Sequence, residues 1–143
     1  MDSINTYTGH CNYQRVTFHI QLPQALSNYQ ARACDCDFCT QRYIQYLSHP
    51  NGTLEIPHNH SLQTLTQGSE QTRFWQCTHC HDIIAATCEY SDGIRGAVNA
   101  TLLDEKSQLQ NPVAVSPKLL SAEEKKARWR GVWFLVVGLV SKI

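Results

Sequence analysis

The sequence has no excess of charge of either sign. Twelve lysines and arginines balance twelve aspartates and glutamates over 143 residues, so the formal net charge is zero. A chain without net positive charge has no long-range field to hold it on a phosphate backbone or an anionic membrane. We therefore expect no nucleic-acid partner.

Long apolar runs are also missing. The most apolar stretch, residues 131–140, falls well short of the about 20 residues that a membrane-spanning helix requires. The amino-terminal residues are polar and lack the basic and apolar regions of a secretory signal. We expect no membrane span and a cytoplasmic location, where glutathione keeps thiols reduced.

Cysteine, by contrast, is abundant. The chain has seven cysteines, and an odd number rules out a fully paired disulfide framework. In a reducing compartment, metal binding is the leading explanation for so many thiols. Because the length is that of one ordinary domain, we expect residues 1–143 to form a single domain.

Period-two alternation predicts a mainly β protein. Val16, Phe18 and Ile20 alternate with polar residues, as in a strand that has one buried face. Turn residues separate several further short apolar segments. These segments predict strands at residues 54–56, 72–76, 83–88 and 94–103.

Two helices are predicted. One is a short helix at residues 40–47, and the other begins at a capping box formed by Ser121 and Glu124. In the apolar segment that follows, Trp129 and Trp133 are four residues apart and lie on one helical face. We expect this segment to pack on the core or to form a homodimer interface.

The first cysteine group is Cys34, Cys36 and Cys39. A tight loop with this spacing can bring three thiolates to one zinc ion, which prefers four ligands in tetrahedral geometry. Three ligands from the loop leave the fourth position open to a substrate. Alternatively, a distant histidine or Cys88 closes the site as the fourth ligand.

The second group is the Cys-x-x-Cys knuckle of Cys77 and Cys80. Its spacing allows both sulfurs to bind one ion while amides of the turn donate hydrogen bonds to them. The knuckle supplies half a site, and Cys11 is the obvious remote contributor. On an extended chain position 13 points to the same side as position 11, but it is occupied by Tyr13, a poor zinc ligand.

Three cysteine motifs thus follow one another: Gly9-His-Cys11-Asn-Tyr13, Cys34-Asp-Cys36-Asp-Phe-Cys39 and Cys77-Thr-His-Cys80-His81. In this order and spacing they resemble the glutathione-dependent formaldehyde-activating enzymes, a family that includes centromere protein V. The resemblance covers about residues 9–103 and leaves residues 104–143 as a carboxy-terminal extension.

The resemblance implies a β-tent fold, in which small antiparallel sheets surround zinc-cysteine clips. It implies a structural zinc ion held by Cys11, Cys77 and Cys80. It also implies a catalytic site with a second zinc ion, formed by Cys34, Cys36 and Cys39. From it we expect one or two zinc ions per chain, glutathione as a co-substrate, and a carbon-sulfur lyase-like reaction on a small-molecule thiol adduct.

The chain departs from the family pattern at the structural site. Tyr13 stands where the family has a cysteine, so the fourth ligand is missing. Either His10, His79, His81 or water replaces it, or the clip has lost its metal and is held by packing.

Further departures lie beside the cysteines. His81 replaces a glycine that often has a positive backbone angle, which histidine tolerates at some cost. Asp35 and Asp37 replace a histidine and a serine and add negative charge that disfavours an anionic substrate. The alternative function is therefore a non-catalytic, zinc-stabilised β module that binds a protein partner, since one fold hosts many functions.

Overall fold

A computed structural model describes residues 5–12, 16–35, 37–57, 62–66, 72–115 and 120–139. Tyr13 and Cys36 lie outside these residues. Over the described residues the protein is mainly β with a short carboxy-terminal helix, which confirms the predicted fold class.

Eleven strands lie in the described part of the chain. They are β1 (Asn5–His10), β2 (Thr17–Leu22), β3 (Gln30–Cys34), β4 (Gln45–Leu47), β5 (Thr53–Ile56), β6 (Leu62–Thr66), β7 (Arg73–Cys77), β8 (Ile83–Tyr90), β9 (Gly93–Asn99), β10 (Gln110–Val115) and β11 (Phe134–Leu139). The helices are α1 (Asp37–Arg42) and α2 (Ala122–Val132), with 3-10 turns at Leu26–Asn28, Ala100–Leu102 and Lys106–Gln108.

Hydrogen bonds join these strands into one large sheet. Its main order is β1-β2-β5-β11-β9-β4-β3-β10, and β8, β7 and β6 continue in that order from β9. The pairs β10–β3 and β11–β5 are parallel, whereas the other strand pairs are antiparallel. Parallel partners need a long connection, and each of these pairs joins a carboxy-terminal strand, β10 or β11, to a strand from the amino-terminal half.

The alternation predicted around residues 16–20 is confirmed. Phe18, Ile20 and Leu22 of β2 are buried, and the residues between them are more exposed. These side chains join the main core together with Leu54 of β5 and Phe134 of β11. The core therefore lies against the face formed by β2, β5 and β11.

Gly9 of the first cysteine motif is required by this packing. It pairs with Phe18 across β1 and β2. A Cβ atom at position 9 would lie 2.2 Å from the end of the Phe18 ring. Only glycine lets the ring cover β1 at the point where the strand leads into Cys11.

The helix predicted at residues 40–47 is correct only for residues 40–42, because α1 begins earlier, at Asp37. Helix α1 ends at Arg42, and β4 begins three residues later. Tyr43 ends the helix because its backbone is left-handed, with a φ of 55°. The Tyr43 amide donates to the Thr40 carbonyl, and the Ile44 amide donates to the Cys39 carbonyl. This pair of bonds is a Schellman motif, which stops a helix within one turn.

The capping box at the start of α2 is confirmed. The Ser121 hydroxyl accepts from the Glu124 amide at 3.1 Å, and the Glu124 carboxylate accepts from the Ser121 amide at 2.8 Å. At the other end of α2 the rings of Trp129 and Trp133 stack with centroids 4.6 Å apart. The helix therefore forms where the sequence predicts it.

The apolar segment after α2 packs within its own chain. It forms β11, which lies between β5 and β9, and Phe134 is 0% exposed. The core-packing alternative is the one seen here, and a homodimer interface stays a prediction. Among the described residues no helix is both long and apolar enough to cross a bilayer.

We expect Phe134→Ala to lower the free energy of unfolding by about 3–5 kcal/mol, because it opens a cavity in the main core. The control is Val137→Ala on the same strand, whose side chain is 58% exposed and should cost less than about 1 kcal/mol. Urea unfolding measures both values. Equal, small losses would contradict the placement of β11 in the core.

Candidate metal centre and thiol loop

The knuckle of Cys77 and Cys80 joins β7 to β8. The Cys77 amide donates to the Asp82 carbonyl at 2.9 Å, and the His81 amide donates to the Cys77 carbonyl at 3.0 Å. The His79 amide points to the Cys77 sulfur at 3.4 Å. These bonds close a tight turn that brings the two cysteine side chains together, as the spacing predicts.

Cys11 reaches the knuckle from the end of β1. The next residue, Asn12, donates two hydrogen bonds to the carboxylate of Asp82, from its amide at 2.8 Å and from its side chain at 3.1 Å. Because Asp82 lies two residues after the knuckle, these bonds hold the segment after β1 against it. Residues 66 positions apart in the sequence, Cys11 and Cys77, are thereby placed side by side.

The sulfurs of Cys11, Cys77 and Cys80 form a compact group, all within 4.8 Å of one another. The Cys11 and Cys77 sulfurs are 3.7 Å apart. Two thiolates bound tetrahedrally to zinc at about 2.3 Å would be separated by about 3.8 Å, whereas a disulfide needs about 2.05 Å. The group can therefore hold a metal ion.

The environment of Cys77 favours its thiolate. Burial raises the pKa of the Cys77 thiol, but hydrogen bonds outweigh that effect and leave the pKa below its ordinary value. The bonds come from the Cys80 and His79 amides and from the thiols of Cys80 and Cys11. Because the thiolate is the form that binds metal, the hydrogen bonds prepare Cys77 as a ligand.

The histidines considered as a fourth ligand do not join the three sulfurs. His10 contacts Asp104 instead, with 3.0 Å between Nδ1 and Oδ1. His79 and His81 are exposed. In the described ranges the metal-binding group consists of the three cysteines alone.

Asp82 is the residue at this site that sequence reasoning missed. Its Oδ2 atom lies 3.3 Å from the Cys80 sulfur. The signal was a carboxylate two positions after a Cys-x-x-Cys knuckle. It went unused because a single aspartate in a turn resembles any solvated carboxylate.

The positive backbone angle expected at His81 is confirmed, with a φ of 64°. This conformation lets the His81 amide turn back to Cys77 and its carbonyl accept from the Gln76 side chain at 3.1 Å. The knuckle thus keeps its shape without the glycine of the family pattern, at the cost of backbone strain.

Cys34 and Cys39 do not belong to the metal group. Cys34 ends β3, Cys39 lies in α1, and both belong to a small apolar cluster with Ile44 and Ile83. The Tyr46 hydroxyl is 3.2 Å from the Cys39 sulfur. Cys36, the third member of this loop, lies outside the described residues.

Cys88 is buried on β8 in a different cluster, packed with Ala86, Ala97 and Trp133. Burial raises the pKa of its thiol, which keeps it protonated and unreactive. This agrees with the apolar strand pattern around it. Among the residues that the structure describes, Cys88 belongs to no group that could hold a metal ion.

Neither a family model nor a curated protein matches the chain. A crystal structure of a Rhodobacter sphaeroides protein, solved as a structural-genomics target, is similar with a TM-score of 0.57 and 19% identity. The match covers 76% of this chain and 99% of that one. At this identity the likeness shows a shared fold and nothing about function.

We expect His81→Gly to raise the free energy of unfolding of the metal-free protein by about 0.5–1 kcal/mol. Glycine removes the strain of the left-handed backbone at position 81, which stabilises the folded protein. The greater entropy of glycine in the unfolded chain offsets part of this gain. His79→Gly is the control, since His79 has no positive φ and should lose stability. Urea unfolding in the presence of a chelator compares the stabilities of the two variants. An equal loss of stability in both would contradict the conclusion that His81 is strained.

Proposed function

We propose that this chain is a zinc protein of the glutathione-dependent formaldehyde-activating type. In this proposal Cys11, Cys77 and Cys80 hold a structural zinc ion. The loop of Cys34, Cys36 and Cys39 holds a second zinc ion and handles a glutathione adduct, or another thiol adduct, in a carbon-sulfur lyase-like reaction. The observation that carries the proposal is the group of three sulfurs within 4.8 Å of one another, in which the Cys11 and Cys77 sulfurs are separated by the edge length of a zinc-thiolate tetrahedron.

A structural role suits the first site. Cys11 is 2% exposed and Cys77 is 0% exposed, so two of the three sulfurs are closed to substrate. An ion there would link the end of β1 to the β7–β8 turn. In a chain of this size, such a link adds directly to folding stability.

A reactive role suits the second site better. Cys34 is only half-buried, and the Tyr46 hydroxyl is placed to donate a hydrogen bond to the Cys39 sulfur. Hydrogen bonding to a thiolate favours its charged form. A zinc ion bound there would hold the sulfur of the adduct as thiolate while the carbon-sulfur bond forms or breaks.

One observation favours the alternative, a non-catalytic zinc module that binds a protein partner. Cys39 is 3% exposed, beneath the side chains of its apolar cluster. A thiol this buried suits a structural ligand more than a substrate contact. The two proposed functions predict different zinc contents at the loop of Cys34, Cys36 and Cys39, and only the first predicts catalytic turnover.

Zinc content per chain separates the sites. We expect elemental analysis to find about two ions in the wild type and about one in each of Cys77→Ser and Cys36→Ser, because each substitution removes a thiolate ligand. Cys88→Ala is the control and should keep both ions. A loss with Cys77→Ser but none with Cys36→Ser would leave only the structural ion and favour the module.

Turnover tests the lyase-like reaction. We expect the protein to accelerate the interconversion of glutathione and formaldehyde with S-hydroxymethylglutathione. In that reaction the thiol sulfur bonds to the carbonyl carbon and the thiol proton passes to the oxygen. Exchange NMR measures the rate, which Cys36→Ser should abolish and Cys88→Ala should keep. A wild-type rate equal to that of buffer would contradict catalysis.

A further inference from the structure

One face of the sheet places a half-buried arginine beside the thiol loop of Cys34, Cys36 and Cys39. Arg32 and Cys34 lie two positions apart on β3, so their side chains share a face and their Cα atoms are about 6.6 Å apart. Tyr46 of β4 is the cross-strand partner of Arg32, and partners of this kind also share a face. The Tyr46 hydroxyl is 3.2 Å from the Cys39 sulfur. Arg32 is therefore a neighbour of the thiol loop.

The guanidinium of Arg32 is held by a neutral side chain. Its Nη2 atom donates to the Ser48 hydroxyl at 2.6 Å, and this hydroxyl donates to the Val132 carbonyl at the end of α2 at 2.7 Å. In the part of the chain that the structure describes, no carboxylate lies within ion-pair distance of Arg32. A guanidinium has five N–H donors, and the bond to Ser48 uses one of them. Donors therefore remain for a ligand.

A second arginine adds to the positive charge. Arg128 of α2 lies one helical turn before Val132, on the same side of the helix. Burial lowers the pKa of the Arg32 guanidinium, and repulsion from Arg128 lowers it further. The carboxy-terminal end of a helix carries about half a negative charge, which the full positive charge of Arg128 outweighs. Among the described residues, no anion compensates these two like charges.

This arrangement is unfavourable unless an anion binds. A half-buried charge without a counterion loses hydration and gains little in return. Arg130, also on α2, shows the usual solution, since its guanidinium is 2.7 Å from the carboxylate of Asp92. Guanidinium groups bind carboxylates through two parallel hydrogen bonds. A carboxylate brought by a ligand would offset the cost at Arg32.

Solvent reaches the described residues of this face. Arg32 and Cys34 are half-buried, and Arg128 is exposed. Val113, the partner of Arg32 on β10, is 43% exposed. A molecule whose sulfur lies at the thiol loop can therefore bring a carboxylate to the arginines.

We propose that Arg32 and Arg128 form an anion site that binds a carboxylate of the thiol adduct while the sulfur of the adduct lies at the thiol loop. This inference rests on the proposed function, and it names the residues that select a substrate with a carboxylate. The positive charge of the arginines counters the negative charge that Asp35 and Asp37 bring to the loop.

The test measures binding to the full chain by isothermal titration calorimetry. The probes are glutathione and glutathione diethyl ester, which differ only in their carboxylates. Arg32→Gln removes the charge and keeps an N–H donor for Ser48, and Arg128→Gln removes the second charge. The matched control is Arg130→Gln, because Arg130 lies on the same helix and pairs with Asp92.

We expect the wild type to bind glutathione at least about tenfold more tightly than the diester, because hydrogen bonds to charged groups are strong. Arg32→Gln should remove most of this preference. Arg128→Gln should remove a smaller part, because Arg128 is exposed, and Arg130→Gln should keep all of it. Urea unfolding of the ligand-free protein should show no loss of stability in Arg32→Gln, which removes an uncompensated charge.

The outcomes separate the anion site from the proposed reaction. Glutathione binding that depends on Arg32, without turnover, supports the anion site and contradicts the lyase-like reaction. Turnover together with equal binding of glutathione and its diester overturns the anion site and leaves the reaction standing. A wild type that does not bind glutathione overturns the anion site. A large loss of stability in Arg32→Gln, with the preference for glutathione unchanged in Arg128→Gln, assigns Arg32 to the fold and overturns it as well.

Discussion

The pairing of β9 with three strands is the constraint on which the rest of the fold depends. One edge of β9 pairs with β8 along its length, and the other edge pairs with β11 at Gly96 and with β4 at Asn99. A Cβ atom at Gly96 would lie 3.1 Å from the Ala86 carbonyl and 3.1 Å from Val136. Glycine therefore allows the strands to approach at this crossing. Strand β8 begins just after the knuckle, and β4 follows the segment that carries Cys39, so both cysteine groups lie next to strands that pair with β9.

The two cysteine groups differ in how they are held. At the first, three sulfurs from distant segments meet because backbone hydrogen bonds shape the knuckle and Asn12 is tied to Asp82. At the second, Cys39 is fixed by the end of α1, where Tyr43 reverses the chain. The first arrangement depends on tertiary contacts, which suits a metal ion that stabilises the fold by linking distant segments of the chain. The second combines this local turn with long-range contacts, because Cys34 pairs with Val115 of β10 and Cys39 packs with Ile83.

Local signals in the sequence predicted much of this structure. Alternation located β2, and the capping box located the start of α2. The spacing of Cys77 and Cys80 predicted that their side chains would meet. Each of these features is decided by residues within a few positions of one another, so a single sequence carries enough information.

What the sequence did not reveal depends on long-range contacts. The parallel insertion of β11 beside β5 has no local signature, since an apolar run fits a strand, a helix or an interface equally well. Asp82 acquires its significance only when Asn12 and Cys80 are both beside it. The end of α1 was misplaced because a tyrosine seldom adopts the left-handed conformation that stops a helix.

The position of β11 has a consequence for biosynthesis. A ribosome delivers the chain from its amino terminus, and β5 and β9 are complete long before β11 emerges. Until then, the edges of β5 and β9 that β11 will occupy expose unpaired backbone groups, and such edges are templates for aggregation. Among the described strands β11 is made last, so the edges of β5 and β9 that it covers stay unpaired until it has been synthesised.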